Sequence, residues 1–287
     1  MSDEPSAKRA KSAAPDNTPS QSDVEIQSKH VLSRARELLQ EHCSAHGVDD
    51  SHGVNHAECV LQHTKRALGA AKEPISEPRT LSVLLAALLH DADDHKYFGK
   101  ASSKALAHAS RIMEEAGAST LGPSVIPDAL TSISLVSCSA NGNSCPDEIR
   151  AQPEMLWPRW ADRLEASGEI GVARCFLHNK KDGAPLAVDS TPRPKTADEV
   201  FALATEERFS NYQERGGSSD SMLDHYYDKL IQVSRPPPEL VRNEYLQDEA
   251  GKRVEPLLSV LLAYGETGEV PLQAIEGIVK KLGLRGK

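Results

Sequence analysis

A chain of 287 residues, 39% of them hydrophobic, is long enough to bury a sizeable core as one domain with appendages. Its formal charge of −9 and pI near 5.7 give no global field for nucleic acid, so a polymeric nucleic-acid partner is not expected, although a local basic pocket can still hold a small anion. No apolar run reaches the roughly 18 residues that span a bilayer, and low aromatic content beside long Leu/Ala stretches points to a soluble, all-α protein without a membrane partner.

Residues 1–23 hold Ser, Ala, Pro, Asp and Lys with hardly an apolar side chain, a composition that cannot repay the entropy of ordering. They are expected to form a disordered tail ahead of a domain spanning 24–287. The basic cluster Lys8 to Lys11 leaves nuclear import open beside a cytoplasmic location. Ile26, Val31, Leu32, Ala35, Leu38 and Leu39 then lie on one stripe, predicting a helix from Val24 that stops at Gly47 and Asp49-Asp50-Ser51. Val54, Ala57, Val60, Leu61, Ala67 and Leu68 predict a second helix from Val54 to about Lys72, closed by Glu73-Pro74. Pro78 opens a third, whose run Leu81–Leu89 is apolar all round and therefore central to the core.

The polar stretch from Asp91 to Lys100 reads as a loop leaving that helix. Further helices are predicted at about 101–116, 123–138, 157–177, 197–213, 219–233, 240–264 and 271–283. Two linkers, 139–153 and 180–195, are rich in Asn, Gly, Ser, Pro and Asp. No internal repeat has a solenoid period. No Walker loop occurs, and Gly216-Gly217-Ser218-Ser219 is the simple lead-in to a helix. The five cysteines, Cys43, Cys59, Cys138, Cys145 and Cys175, show no C-x-x-C spacing and read as reduced thiols.

Four residues on these apolar segments carry the chemistry: His56, the adjacent His90 and Asp91, and Asp162. Two imidazoles and two carboxylates can hold a divalent ion. His90 and Asp91 point about 100° apart on a helix, yet both reach one ion if the helix ends beside it. His56 and Asp162 must come from other helices, which ties the site to the folded core. Asp94 can relay a proton or orient water, with an exposed loop acid as the plain alternative. Lys96, Arg163 and Lys229 are the candidate cations for phosphate, Arg163 being equally suited to a salt bridge with Glu165. His52 and His225 can donate to phosphate oxygens when protonated, or serve as structural hydrogen-bond partners.

The order His, His-Asp, Asp on helical segments resembles the HD-domain superfamily of metal-dependent phosphohydrolases. Ala161-Asp-Arg-Leu-Glu-Ala-Ser-Gly-Glu-Ile-Gly-Val-Ala-Arg-Cys-Phe176 resembles the last-Asp helix of a single-domain bacterial subgroup, and Ser221-Met-Leu-Asp-His-Tyr-Tyr-Asp-Lys-Leu-Ile231 its C-terminal helix. The resemblance covers roughly 48–264. It implies a compact helical HD core with added C-terminal helices, with metal ligands at His56, His90, Asp91 and Asp162. Further site positions are implied at His52, Asp94, Lys96 and His225, with Asp94 and Lys96 the catalytic candidates and His52, Arg163, His225 and Lys229 those for substrate. The implied activity is hydrolysis of a nucleoside or deoxynucleoside triphosphate to monophosphate and pyrophosphate. Mn²⁺ is the first choice of ion, with Mg²⁺, Fe²⁺, Co²⁺, Ni²⁺ and Zn²⁺ compatible by ligand type. One departure stands out: relatives have His-Ser-Phe-Ser where this chain has Val136-Ser-Cys-Ser139. Three alternatives stay open: a phosphomonoesterase, a di-iron oxygenase using His95 or His108 for a second metal, and a non-catalytic nucleotide or metal sensor.

Overall fold

The computed structural model describes residues 21–49 and 52–284, so the basic cluster, the expected tail up to residue 20 and the Asp50-Ser51 stop lie outside the described residues. The described residues are helical, with no β-strand among them. The first helix, α1 (Gln21–His46), already begins within the stretch expected to be tail, with Asp23 in its first turn, where a carboxylate complements the helix dipole. α2 (Val54–Gly69) and α3 (Glu77–Leu89) follow the apolar periodicity closely. α3 has Leu81, Val83, Leu85, Ala86, Leu88 and Leu89 all buried and packs on α1 and α2. An all-round apolar helix is stable only as a core element, and this one is the axle of the first half of the chain.

The loop expected over Asp91–Lys100 is half helix. α4 (His95–Ala105) starts within it because the Asp94 side chain accepts a hydrogen bond from the Lys96 amide, a helix N-cap. Gly99, at φ 77° and ψ 166°, leaves helical geometry, so α4 is two short helical pieces meeting at a kink. The helix expected over 101–116 is split at Leu106, which takes a left-handed φ of 50° before α5 (Ala107–Glu115). Asp93 stabilises this junction, accepting from the amides of His108 and Ala109 and from Ser102 Oγ. α6 (Val125–Ser134) then packs along α3. The segment 139–153 includes a short helical turn, Asp147–Arg150, as well as loop.

The single helix expected over 157–177 is two, α7 (Trp157–Leu164) and α8 (Gly168–Asp182). Here the chain passes from one apolar core to another. The first core joins α1–α3, α5–α7 and the stretch around Leu240–Ala250; the second gathers Val172, Phe176, Met222, Tyr226, Tyr227, Leu257 and Leu261. Between α7 and α8, Gly168 adopts φ +70° and Gly171 lies so near the preceding turn that an added Cβ would stand 2.4 Å from the Ala166 carbonyl oxygen. Gly171→Ala is therefore expected to lower unfolding free energy by about 1–3 kcal/mol through forced backbone movement, read as a reduced urea midpoint with an unchanged slope.

The second core continues through α9 (Ala197–Leu203), α10 (Glu206–Glu214), and a composite helix, α11, built from Met222–His225, a π-helical Tyr226–Leu230 and Ile231–Val233. The region expected as one helix over 240–264 contains α12 (Glu244–Arg253) and α13 (Glu255–Thr267), and α14 (Leu272–Lys281) closes the chain. Gly216–Ser219 is loop, as expected. All five thiols are free.

Candidate metal centre

The four predicted ligands converge. α2 supplies His56, the C-terminal end of α3 supplies His90 and Asp91, and α7 supplies Asp162. His56 Nε2 lies 3.2 Å from His90 Nε2 and 3.2 Å from Asp162 Oδ1. Asp91 Oδ2 lies 3.3 Å from His90 Nε2 and 3.8 Å from His56 Nε2, and Asp162 Oδ1 is 3.7 Å from His90 Nε2. An ion bound at about 2.0–2.2 Å by each ligand keeps adjacent ligand atoms about 3.0–3.5 Å apart. His56, His90 and Asp162 therefore form one ligand group that fits a divalent ion, with Asp91 beside both imidazoles at 3.3 and 3.8 Å and also grouped with His52 and Asp94.

The imidazoles form the closed wall of the centre and the carboxylates its open side: side-chain exposure is 1% at His90 and 6% at His56, against 22% at Asp91 and 27% at Asp162. His90 Nδ1 donates to the Ala87 carbonyl at 2.9 Å, which fixes the tautomer whose Nε2 lone pair faces its partners. Without an ion, burial drives the His90 pKa down, but the Asp91 and Asp162 carboxylates outweigh it and hold the group at about 9. In return, against their own burial, the facing imidazoles hold both carboxyls below the ordinary range.

Asp162 is fixed through the end of its helix. Ser167 Oγ and Arg253 Nη1 donate to the Leu164 carbonyl at 3.0 and 2.8 Å, and Arg174 Nη1 to the Glu165 carbonyl at 3.1 Å. These donors satisfy carbonyls that the end of α7 leaves open. Behind them, Glu165 Oε1 meets Arg253 Nη1 at 3.0 Å and His63 Nε2 at 3.2 Å, while His63 Nδ1 meets the Tyr245 hydroxyl at 2.5 Å. This brace ties α2, α7 and α12 together, and sequence reading missed it. Its one local signal is that His63 follows His56 by two helical turns and Glu165 follows Asp162 by one.

A second group adjoins the first. His52, Asp91 and Asp94 offer ligand atoms within 4.8 Å of one another. His52 Nε2 is 3.5 Å from Asp94 Oδ2 and accepts from Lys96 Nζ at 2.9 Å. Burial, opposed by Asp91 and reinforced by Lys96, holds the His52 pKa below its usual value, so it is a neutral hydrogen-bond partner at neutral pH.

The remaining candidates divide. Arg163 is turned away: buried, it reaches Asn143 Oδ1 at 2.6 Å and the Gly142 carbonyl, with its guanidinium 4.5 Å from the Trp160 ring centroid. The roughly 100° step from Asp162 turns it away from the centre and toward that loop, which it anchors, and no Arg163–Glu165 salt bridge forms among the described residues. Lys229 sits in the π-helical segment, with Nζ 5.9 Å from the Tyr212 ring centroid. Burial would lower its pKa, but Tyr212, Cys138 and Asp162 together hold it raised, and the group stays cationic. His225 is pushed down to about 3 by burial, by the Lys229 ammonium and by neighbouring His178, which favours the structural hydrogen-bond role over that of a protonated donor. It lies 3.4 Å from Ser219 Oγ and edge-on to Tyr212.

Of the histidines considered for a second metal, His108 is engaged elsewhere, while His95 Nδ1 lies 3.5 Å from Asp94 Oδ1. His108 Nδ1 donates to Asp93 Oδ1 at 2.8 Å within a packed group of His42, His46 and Phe98, and His95 is exposed beside Asp94. Val136, at the departure from the HD pattern, is buried, and Ser137 caps a short turn after it.

No protein-family model matches the chain. It is 36% identical over 235 residues to the uncharacterised L803 protein of Acanthamoeba polyphaga mimivirus, spanning 79% of this chain and 93% of the viral one. Among solved structures it is similar to a structural-genomics target from Lactobacillus plantarum, with a TM-score of 0.54, 19% identity and coverage of 84% of this chain and 95% of the other. It is also similar to the Lin1889 protein of Listeria innocua, with a TM-score of 0.51, 18% identity and coverage of 83% and 94%. These two likenesses show a shared fold. No helix among the described residues is long and apolar enough to cross a membrane. At that identity and coverage, the chain belongs to the family of the mimivirus L803 protein.

Proposed function

We propose that the protein is an HD-type metal-dependent phosphohydrolase that splits nucleoside or deoxynucleoside triphosphates into monophosphate and pyrophosphate. The observation that carries the reading is the convergence of His56 Nε2, His90 Nε2, Asp91 Oδ2 and Asp162 Oδ1, drawn from three helices far apart in sequence, at separations suited to one divalent ion. Mn²⁺ is the first choice, with Mg²⁺, Fe²⁺, Co²⁺, Ni²⁺ and Zn²⁺ as ions the same ligands accept. When bound, such an ion supplies a water of lowered pKa and neutralises phosphate oxygens.

The chain's own groups account for the rest. Asp94 stands beside Asp91 with an oxygen facing His52, a position from which a carboxylate can take a proton from attacking water. Lys96, beside His52, and Lys229, close enough for Asp162 to help hold it charged, bring positive charge to the phosphates. His52 and His225, both neutral, contribute hydrogen bonds and no charge. Water adds across one phosphoanhydride bond, so its oxygen ends on the nucleoside monophosphate or on the pyrophosphate.

The test is Mn²⁺-dependent turnover of a panel of ribo- and deoxyribonucleotides, with phosphate and pyrophosphate measured separately. Pyrophosphate in equal amount to monophosphate is the expected result. Inorganic phosphate alone would make the protein a phosphomonoesterase. Tight nucleotide binding with no product would make it a sensor, and oxygen uptake with two irons per chain would make it an oxygenase.

A further inference from the structure

Behind the metal ligands, one guanidinium reaches both of the helices that carry His56 and Asp162. α2 presents His63 two turns after His56, and Glu165 caps the C-terminal end of α7 one turn after Asp162. Arg253, the last residue of α12, binds the two together. Its Nη1 donates to the Leu164 carbonyl at 2.8 Å and to Glu165 Oε1 at 3.0 Å, and its Nη2 donates to His63 Nε2 at 2.9 Å. That bond leaves the ring proton of His63 on Nδ1, which faces the hydroxyl of Tyr245, also on α12, at 2.5 Å.

We propose that Arg253 is a positioning residue of the metal centre, a clamp that sets the spacing between the helices carrying His56 and Asp162 and through it the affinity for the ion. The inference rests on reading His56, His90, Asp91 and Asp162 as the metal ligands. Three observations support it. The pair that Arg253 grips repeats the pair at the centre: His63 Nε2 stands 3.2 Å from Glu165 Oε1, and His56 Nε2 stands 3.2 Å from Asp162 Oδ1, each pair joining α2 to the end of α7. The grip is a planar fork with bonds to two helices, a geometry that a lysine does not reproduce. It is also largely out of solvent, with side-chain exposure of 9% at His63, 12% at Glu165 and 23% at Arg253. Against its own burial, Glu165 is held below the ordinary carboxylate range by His63 and Arg253.

The place of the clamp in the chain adds to the argument. Leu246 and Ala250 of α12 lie in the first core, Leu257 and Leu261 of α13 in the second, and Val254 alone separates the two helices. Arg253 therefore stands where the chain passes from one core to the other, and its side chain reaches back to the α7–α8 passage. There its stem lies against Gly168, where an added Cβ would be 3.4 Å from Arg253 Cγ. The spacing of two metal ligands is thus fixed at the seam between the cores. Ligands held at that spacing beforehand leave little ordering to oppose the binding of an ion.

The readout is Mn²⁺ affinity, measured by isothermal titration calorimetry on the full chain. Arg253→Ala and Arg253→Lys are expected to bind Mn²⁺ about 10–100-fold more weakly than the wild type, the range over which groups that orient metal ligands act. Guanidinium ion, well below the concentration that unfolds the protein, is expected to restore affinity in Arg253→Ala, and ethylammonium is not, because only the first reproduces the fork. Ile112→Val, in the first core on a helix that packs on α1 and α6, is expected to lower the urea midpoint with Mn²⁺ affinity unchanged, which separates positioning from a general loss of stability. Tyr245→Phe removes one hydroxyl from the clamp and keeps the ring stacked on His63, so it tests the same point if Arg253→Ala does not fold. Its expected loss is about 10-fold, the lower end of the same range. Wild-type affinity in folded Arg253→Ala, or failing that in Tyr245→Phe, would overturn the proposal. Wild-type protein that binds no Mn²⁺ would bring down the metal centre itself, a result distinguishable from either.

Discussion

Asp162→Ala is expected to keep its helical circular dichroism, bind no Mn²⁺ at concentrations that saturate the wild type, and hydrolyse triphosphates at least about 10³-fold more slowly. A divalent ion contributes several kcal/mol to a phosphoryl-transfer transition state, and each 1.36 kcal/mol is a factor of about ten in rate. Asp162 is one of two carboxylates in the centre and the only ligand from α7, so its loss leaves His56 and His90 without the oxygen that stands 3.2 and 3.7 Å from them. The fold should survive, because the end of α7 is held by Arg253, Arg174 and Ser167 acting on backbone carbonyls and not on the Asp162 side chain. Full turnover and one retained Mn²⁺ in this variant would place the reaction elsewhere.

The contrast between Asp162 and Arg163 shows how far sequence alone can reach. Apolar periodicity located α2 and α3, and the order His, His-Asp, Asp, with the resemblance to the HD-domain superfamily, implied that His56, His90, Asp91 and Asp162 meet. The direction of an adjacent side chain follows a different rule. Arg163 points where the helix turn sends it, and which loop waits there, Gly142-Asn143, depends on packing that no local pattern encodes. The same limit applies to the breaks at Leu106 and Gly168. The first interrupts a sequence of good helix formers and the second falls at Ser167-Gly168, and each is held by long-range bonds, Asp93 at the first and Arg253 at the second.

Two further features were illegible for electrostatic reasons. His225 looks like a phosphate donor beside Lys229 when only spacing is read, yet that neighbouring charge, added to burial, is what keeps it neutral. α4 looks like a loop because it buries no residue; its start is dictated by the Asp94 cap and not by an apolar stripe. A D-x-K spacing at the end of a buried helix was the available signal, and it carries both the cap and the lysine contact to His52.

Metal binding should strengthen steeply with pH, while the metal-free protein moves the opposite way. Without an ion, His90 titrates at about 9 against 6.5 for the unperturbed group. A raised pKa means that the folded state binds the proton more tightly than the unfolded chain. The stability it contributes is complete below about pH 6.5 and is lost as pH rises through about 9. His90 is almost fully buried, so this contribution is on the order of a few kcal/mol. Asp91 and Asp162 have the reverse sign: held low, they contribute stability present above the ordinary carboxylate range and lost on acidification below it. The apo protein is therefore expected to be most stable from about pH 4.5 to 6.5 so far as these groups decide it. An ion needs His90 Nε2 unprotonated, so uptake near pH 7 must expel that proton, and apparent affinity should rise about tenfold per pH unit until the pH nears 9. Calorimetric titrations with Mn²⁺ between pH 6.5 and 8.5, in buffers of different ionisation enthalpy, should show close to one proton released per ion. Thermal melts over the same range should show the apo midpoint falling and the gap to the Mn²⁺-loaded midpoint widening. A pH-independent gap with no proton release would mean that His90 is not a ligand, and that the Asp91–His90–Asp162 cluster is an ion pair serving the fold alone.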